Sequence, residues 1–116
     1  MRVRSLALLF LGILMALPAS YAGAETGKLT LDIEKKIQGL FWEGDQRQNE
    51  KRYAEAIMVY RRSLKLDPNQ PDMLFRIGFC YEQMGESKKA VDYYKQALAL
   101  KPDLEDARRY IEAHAQ

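Results

Sequence analysis

Residues 56–70 read AIMVYRRSLKLDPNQ, and residues 90–104 read AVDYYKQALALKPDL. Laid over one another at a shift of 34, Ala56 falls on Ala90, Tyr60 on Tyr94, Leu64 on Leu98, Leu66 on Leu100 and Pro68 on Pro102. Further upstream, Gly44 falls on Gly78 at the same shift. One offset serves every match and no insertion is needed. A fixed period of this length is the sequence mark of stacked structural repeats.

Each unit reads as two helices. In the second, Leu74, Ile77, Gly78 and Tyr81 stand at i, i+3, i+4, i+7, and Ala90, Tyr94, Ala97 and Leu98 at i, i+4, i+7, i+8. Both are single apolar stripes of helical period. Gly85 lies between them and can take positive φ at the turn, Ser87 is placed to cap the helix that follows, and Pro102 ends it. Gly78 and Ala90 lack bulk, so they open a close helix crossing that Tyr81 and Tyr94 can fill. Cys80, the one cysteine, shares a stripe with Ile77, Tyr81 and Met84. That places it in the core as an inert thiol, with no partner for an internal disulfide. A pair of helices built this way buries its apolar face only by stacking on neighbours.

This order of small and aromatic residues over 34 positions resembles the tetratricopeptide repeat family. The second unit, 71–104, carries Leu74, Ile77, Gly78, Tyr81, Gly85, Ala90, Tyr94, Ala97 and Pro102; the first, 37–70, carries Leu40, Gly44, Tyr53, Ala56, Tyr60, Leu64 and Pro68. The first departs at Glu43 and Arg47, where the pattern has a large apolar residue and an aromatic, at Lys51 in place of the turn glycine, and at Ser63 in place of alanine. The resemblance implies an all-α stack of helical hairpins, about two repeats closed by a C-terminal capping helix over 103–114. The expected helices are 31–49, 53–66, 71–84, 87–100 and 103–114, within a repeat domain of 31–116. Residues 25–30 are short, polar and expected to be disordered.

The start of the chain has a different character. Arg2 and Arg4 precede the uncharged apolar run Leu6 to Leu17, then Pro18 and the small residues up to Ala24. This is the order of a secretory signal peptide over 1–24, cut before Glu25 or, at the second site, before Gly23. The run is shorter than the roughly 20 residues of a spanning helix; an uncleaved leader that tethers the domain to a membrane is the competing reading. Without Arg2 and Arg4 the remaining chain has sixteen bases and sixteen acids. A neutral, sign-mixed surface has no field to hold a nucleic acid. The expected location is periplasmic or secreted.

A catalytic constellation is missing from the pattern. His114, the one histidine, has no companion ligand or base near it in sequence, and Ser63 and Ser87 sit in no nucleophile motif. The sequence therefore predicts no enzyme, metal, cofactor or small-molecule substrate. In the repeat family the first helix of each unit lines a concave groove, and the resemblance implies that Phe41, Asp45, Phe75, Phe79 and Glu82 face it. These residues make an apolar, weakly acidic cradle for a peptide or helix of a protein partner. A basic clamp for a terminal carboxylate is not supported, with Arg76 the only base nearby. Core burial of the three phenylalanines is the competing reading. Self-association by end-to-end stacking is the other functional class.

Overall fold

A computed structural model describes residues 19–114, with side chains from residue 27 onward. Most of the expected leader lies outside the described residues. Among the described residues five helices follow in order: α1 (Ala19–Asn49), α2 (Tyr53–Leu66), α3 (Pro71–Gln83), α4 (Ser87–Leu100) and α5 (Glu105–His114). The chain divides into two compact units, Met1–Glu34 and Lys35–Gln116. The second holds the repeats.

The expected boundaries of α2 and α4 hold at both ends, and those of α3 to within a residue. Two corrections fall on the flanks. α1 begins at Ala19 rather than near Leu31, so residues 25–30 are helical, not disordered. No proline interrupts residues 25–30, Glu25, Lys28 and Leu29 are good helix formers, and the single Gly27 is tolerated at a cost of about 1 kcal/mol. α5 begins at Glu105, two residues after its expected start. Residues 27–32 are exposed, Leu29 and Leu31 among them.

The two hairpin turns repeat atom for atom at the 34-residue shift. The amide of Lys51 donates to Gln48 O at 2.9 Å and that of Arg52 to Arg47 O at 2.8 Å; Gly85 donates to Glu82 O at 3.0 Å and Glu86 to Tyr81 O at 2.9 Å. This paired closure of a helix end needs a left-handed residue. Gly85 takes φ 76° as expected, and Lys51 takes φ 61° in the first hairpin. A side chain in that region is held at a cost, about 1–2 kcal/mol. Ser87 does not cap α4: Glu86 occupies the cap position without a side-chain bond, and Ser87 is the first helical residue.

The core runs between the hairpins. Ala56, Tyr60, Ile77, Cys80, Ala90, Tyr94, Ala97 and Ala107 are essentially fully buried. Met84 departs from the expected core stripe and is 42% exposed, because α3 ends one residue before it. Gly78 is small for a reason the structure makes explicit: a Cβ there would come within 2.8 Å of Tyr94 Cδ1. A Cβ on Gly44 would overlap the ring of Tyr60 further still. Both rings are pinned at their far ends. Tyr60 donates to Asp45 Oδ1 at 2.9 Å and to Gln48 Oε1 at 3.2 Å, and Tyr94 donates to Glu82 Oε2 at 2.5 Å. Gln48 and Glu82 are themselves one period apart.

The departures of the first repeat are met locally. Glu43 reaches Arg62 at 3.9 Å and Arg47 reaches Glu55 at 3.7 Å, so ion pairs join α1 to α2. One period on, Tyr81 and Lys89 meet as a cation–π pair at 5.4 Å in the place of Arg47 and Glu55. Ser63 is buried where an alanine was expected. Its hydroxyl donates to Gln70 Oε1 at 3.1 Å, and Gln70 Nε2 donates to Ser63 O at 2.8 Å. A buried hydroxyl so paired escapes the penalty of an unsatisfied polar group.

The glycine crossing can be tested by calorimetry. Gly44→Ala gains about 1 kcal/mol of helix propensity, but Tyr60 cannot retreat from the added methyl. Overpacking costs about 1–3 kcal/mol. The expected result is a net loss of stability, and an unchanged or raised melting temperature would show that the ring can move.

Candidate partner-binding groove

The five residues expected to line one cradle divide between two places. Phe41 and Asp45 are taken up at the junction of the repeats. The Arg76 guanidinium lies 5.3 Å from the centre of the Phe41 ring, and its Nη1 is 3.6 Å from Asp45 Oδ1. Asp45 thus accepts from Tyr60 in its own repeat and is paired with a base from the next. Phe41 also borders a shallow cavity of about 390 Å³ with Ile37, Pro71 and Met73.

Phe75, Phe79 and Glu82 line a larger groove of about 570 Å³. α3 supplies these three residues and Arg76, α1 adds Gln48, and α4 adds Tyr94 at the floor. The far wall comes from α5 through Tyr110, with Arg109 and Asp106 exposed beside it. Phe75 is partly buried and packs against the core, its ring 5.2 Å from Tyr94. Tyr110 also lies 5.2 Å from Tyr94, edge on, and His114 stacks on Tyr110 at 4.0 Å. Phe79 lines the groove and is half-buried.

Core packing therefore accounts for part of Phe41 and Phe75, which lie against the buried cluster, whereas Phe79 is not among the side chains packed on it. Sequence reasoning missed the α5 wall. The signal was available: the same 34-residue shift that carries Trp42 to Arg76 carries Arg76 to Tyr110. His114 is exposed and also borders this groove.

Burial and hydrogen bonding set the acid–base character beneath the groove. Burial raises the phenols of Tyr60 and Tyr94 well above the usual tyrosine range, and donation to Asp45 and to Glu82 adds to the shift. Burial also pushes the Cys80 thiol up to about 12, with Arg76 opposing. Cys80 Sγ lies 3.8 Å from Gln48 Oε1. Among the described residues no cluster of His, Cys, Asp or Glu has the arrangement of a metal site.

Residues 47–113 match the sequence profile of the tetratricopeptide repeat, and the chain belongs to that family. Curated relatives include the photosystem I assembly protein Ycf3 of Rippkaea orientalis, 37% identical over 72 residues that make up 60% of this chain and 42% of that protein. The human cell division cycle protein 16 homolog is 40% identical over 53 residues, 46% of this chain and 8% of that one. The chain spans less than half the length of these relatives. Among solved structures, MamA superposes with a TM-score of 0.64 at 23% identity, covering 67% of this chain and 46% of MamA. The Sgt2 repeat domain of Aspergillus fumigatus does so with 0.61 at 24% identity, covering 67% and 52%. At such identities the two structures speak to the fold alone.

With its thiol raised to about 12, Cys80 is ionised in roughly one molecule in 10⁴ at pH 8. Alkylation of the folded protein is expected to run at the rate of unfolding, not at the rate of an open thiol. Rapid labelling of native protein at pH 8 would contradict its burial.

Proposed function

We propose that this protein is a non-catalytic protein-binding module, an adaptor or assembly factor of the bacterial periplasm, that seats a partner peptide or helix in the larger groove. The observation that carries this reading is the groove's aromatic wall, in which Phe75, Phe79 and Tyr110 come from two separate helices. Aromatic side chains offer large contact area at little entropic cost and commonly dominate interface energy. Membership of a repeat family built to present such a face supports the interaction role. The relatives named for photosystem assembly lend support to the assembly role. The periplasmic placement rests on the residue pattern of positions 1–24 alone.

End-to-end stacking of copies is the weaker reading. On α1, Glu43, Gln46 and Arg47 stand in register with Ile77, Cys80 and Tyr81; on α5, Arg108 and Glu112 stand in register with Leu74 and Gly78. End faces with charges at those positions offer little apolar area to remove from water.

Crosslinking in the native envelope followed by mass spectrometry identifies the partner. Phe79→Ala is then expected to weaken its capture by about 2 kcal/mol or more, at little cost to the fold. Phe75→Ala is expected to cost about 2 kcal/mol of stability as well, since that ring packs on the core. A Phe79→Ala protein that is folded and captures the partner in full would remove the groove as the binding site. Intact mass checks the periplasmic part separately. Exported protein should begin at Glu25 or Gly23, and Met1 retained on a membrane-bound form would rule out a cleaved leader.

A further inference from the structure

The two repeats build the same kind of junction from partly exchanged parts. In the first, a buried tyrosine donates to a carboxylate, and the helix that follows supplies a cation to it: Tyr60 donates to Asp45, and Arg76 of α3 pairs with Asp45 while lying over Phe41. In the second, Phe75 stands in register with Phe41 and Tyr94 with Tyr60; Phe79 takes the position of Asp45, and the carboxylate on the tyrosine is Glu82, in register with Gln48. The residue in register with Arg76 is Tyr110, which carries no charge and turns onto Tyr94 and His114. None of the ion pairs formed by described residues includes Glu82.

We infer that the larger groove recognises a cationic side chain of its partner, an arginine above all, which completes at Glu82 the pairing that Arg76 completes at Asp45. This rests on the groove reading above and adds the chemistry of the ligand. The first repeat supplies the precedent within the same chain: a planar guanidinium against a carboxylate on one side and a phenylalanine face on the other. In the second repeat a phenylalanine and a carboxylate on the tyrosine hydroxyl are again present, the carboxylate three residues further along its helix, and the cation is lacking. Glu82 uses one oxygen for Tyr94 and is half-buried, and Phe75 and Phe79 supply apolar surface for the stem of a long side chain.

The other charges around the groove are of both signs. Arg76 borders it but is engaged by Asp45. Arg109 stands in register with Phe75, is exposed and forms no ion pair among the described residues. Asp106 adds a second acid at the exposed edge, and His114 is stacked on Tyr110 with Nδ1 2.9 Å from Tyr110 O.

The test uses the full chain, labelled with ¹⁵N, and two small probes: N-acetyl-arginine methylamide and its uncharged citrulline counterpart. The arginine probe should shift the amides around Phe79, Glu82 and Tyr110 and bind at least about tenfold more tightly than citrulline. Glu82→Gln should abolish that preference and leave the fold intact, because Gln48 already fills the equivalent position beneath Tyr60. Tyr110→Arg should abolish it too, by supplying the cation from within. Equal response to both probes overturns the inference, as does a preference that survives Glu82→Gln. Binding seen only after Arg109→Ala also overturns it, since Arg109 would then be the cation of this site. The result is separable from the groove reading. Loss of partner capture in Phe79→Ala with no arginine preference keeps the groove and removes the cation, whereas full capture in Phe79→Ala removes both.

Discussion

Where a tyrosine ring crosses a neighbouring helix at the distance seen here, the helix beneath can carry no Cβ, and most of this architecture follows from that exclusion. Gly44 lies under Tyr60 and Gly78 under Tyr94. The absence of side chains lets each hairpin close tightly, and the buried ring fills the space that closure would otherwise leave. Burying a phenol also creates a demand, because its hydroxyl needs an acceptor. Asp45, Gln48 and Glu82 meet it. Two of these acceptors, Gln48 and Glu82, are thereby fixed at the groove, so the packing rule of the core determines part of the polar surface it displays.

The periodic parts of this arrangement were legible in the residues. The shift of 34, the punctuating prolines and the turn glycine located α2, α3 and α4 closely, because each signal acts on the backbone within a few positions. Gly23 and Gly27, upstream of Leu31, do not break the helix, which runs back to Ala19, the residue after Pro18. The candidate site was legible only in part. Phe41 and Asp45 read as groove residues, yet Arg76, a residue of the next hairpin, covers one and pairs with the other. A pairing across repeats is a tertiary fact, and helical periodicity within one segment does not report it. Tyr110 was not placed at the groove for a related reason: α5 shares the register of α3, but so few of its residues match the repeat pattern that it reads as a closing cap.

The first repeat shows how a consensus is relaxed without being abandoned. Glu43 and Arg47 stand where the second repeat has Ile77 and Tyr81, and they turn to Arg62 and Glu55 on α2. Exposed pairs of this sort contribute little stability. Their effect is on the surface: a charged face at that end of the stack resists apolar association. Ser63 shows the reverse case, a polar residue kept in the core by a single glutamine, Gln70, that bonds both its hydroxyl and its carbonyl.

Lys51 makes the two hairpins unequal though their geometry is the same. Both turns close through the same pair of backbone bonds, but in the first a side chain is held in a left-handed conformation that glycine adopts freely in the second. Backbone energy is thus stored unevenly along the stack, and subglobal opening follows the gradient. The α1–α2 hairpin is expected to fray first, while α3, α4 and α5 keep their mutual packing. The groove walls made by Phe75, Phe79 and Tyr110 belong to the part that opens last, so the recognition surface outlives the first melting of the scaffold that carries it.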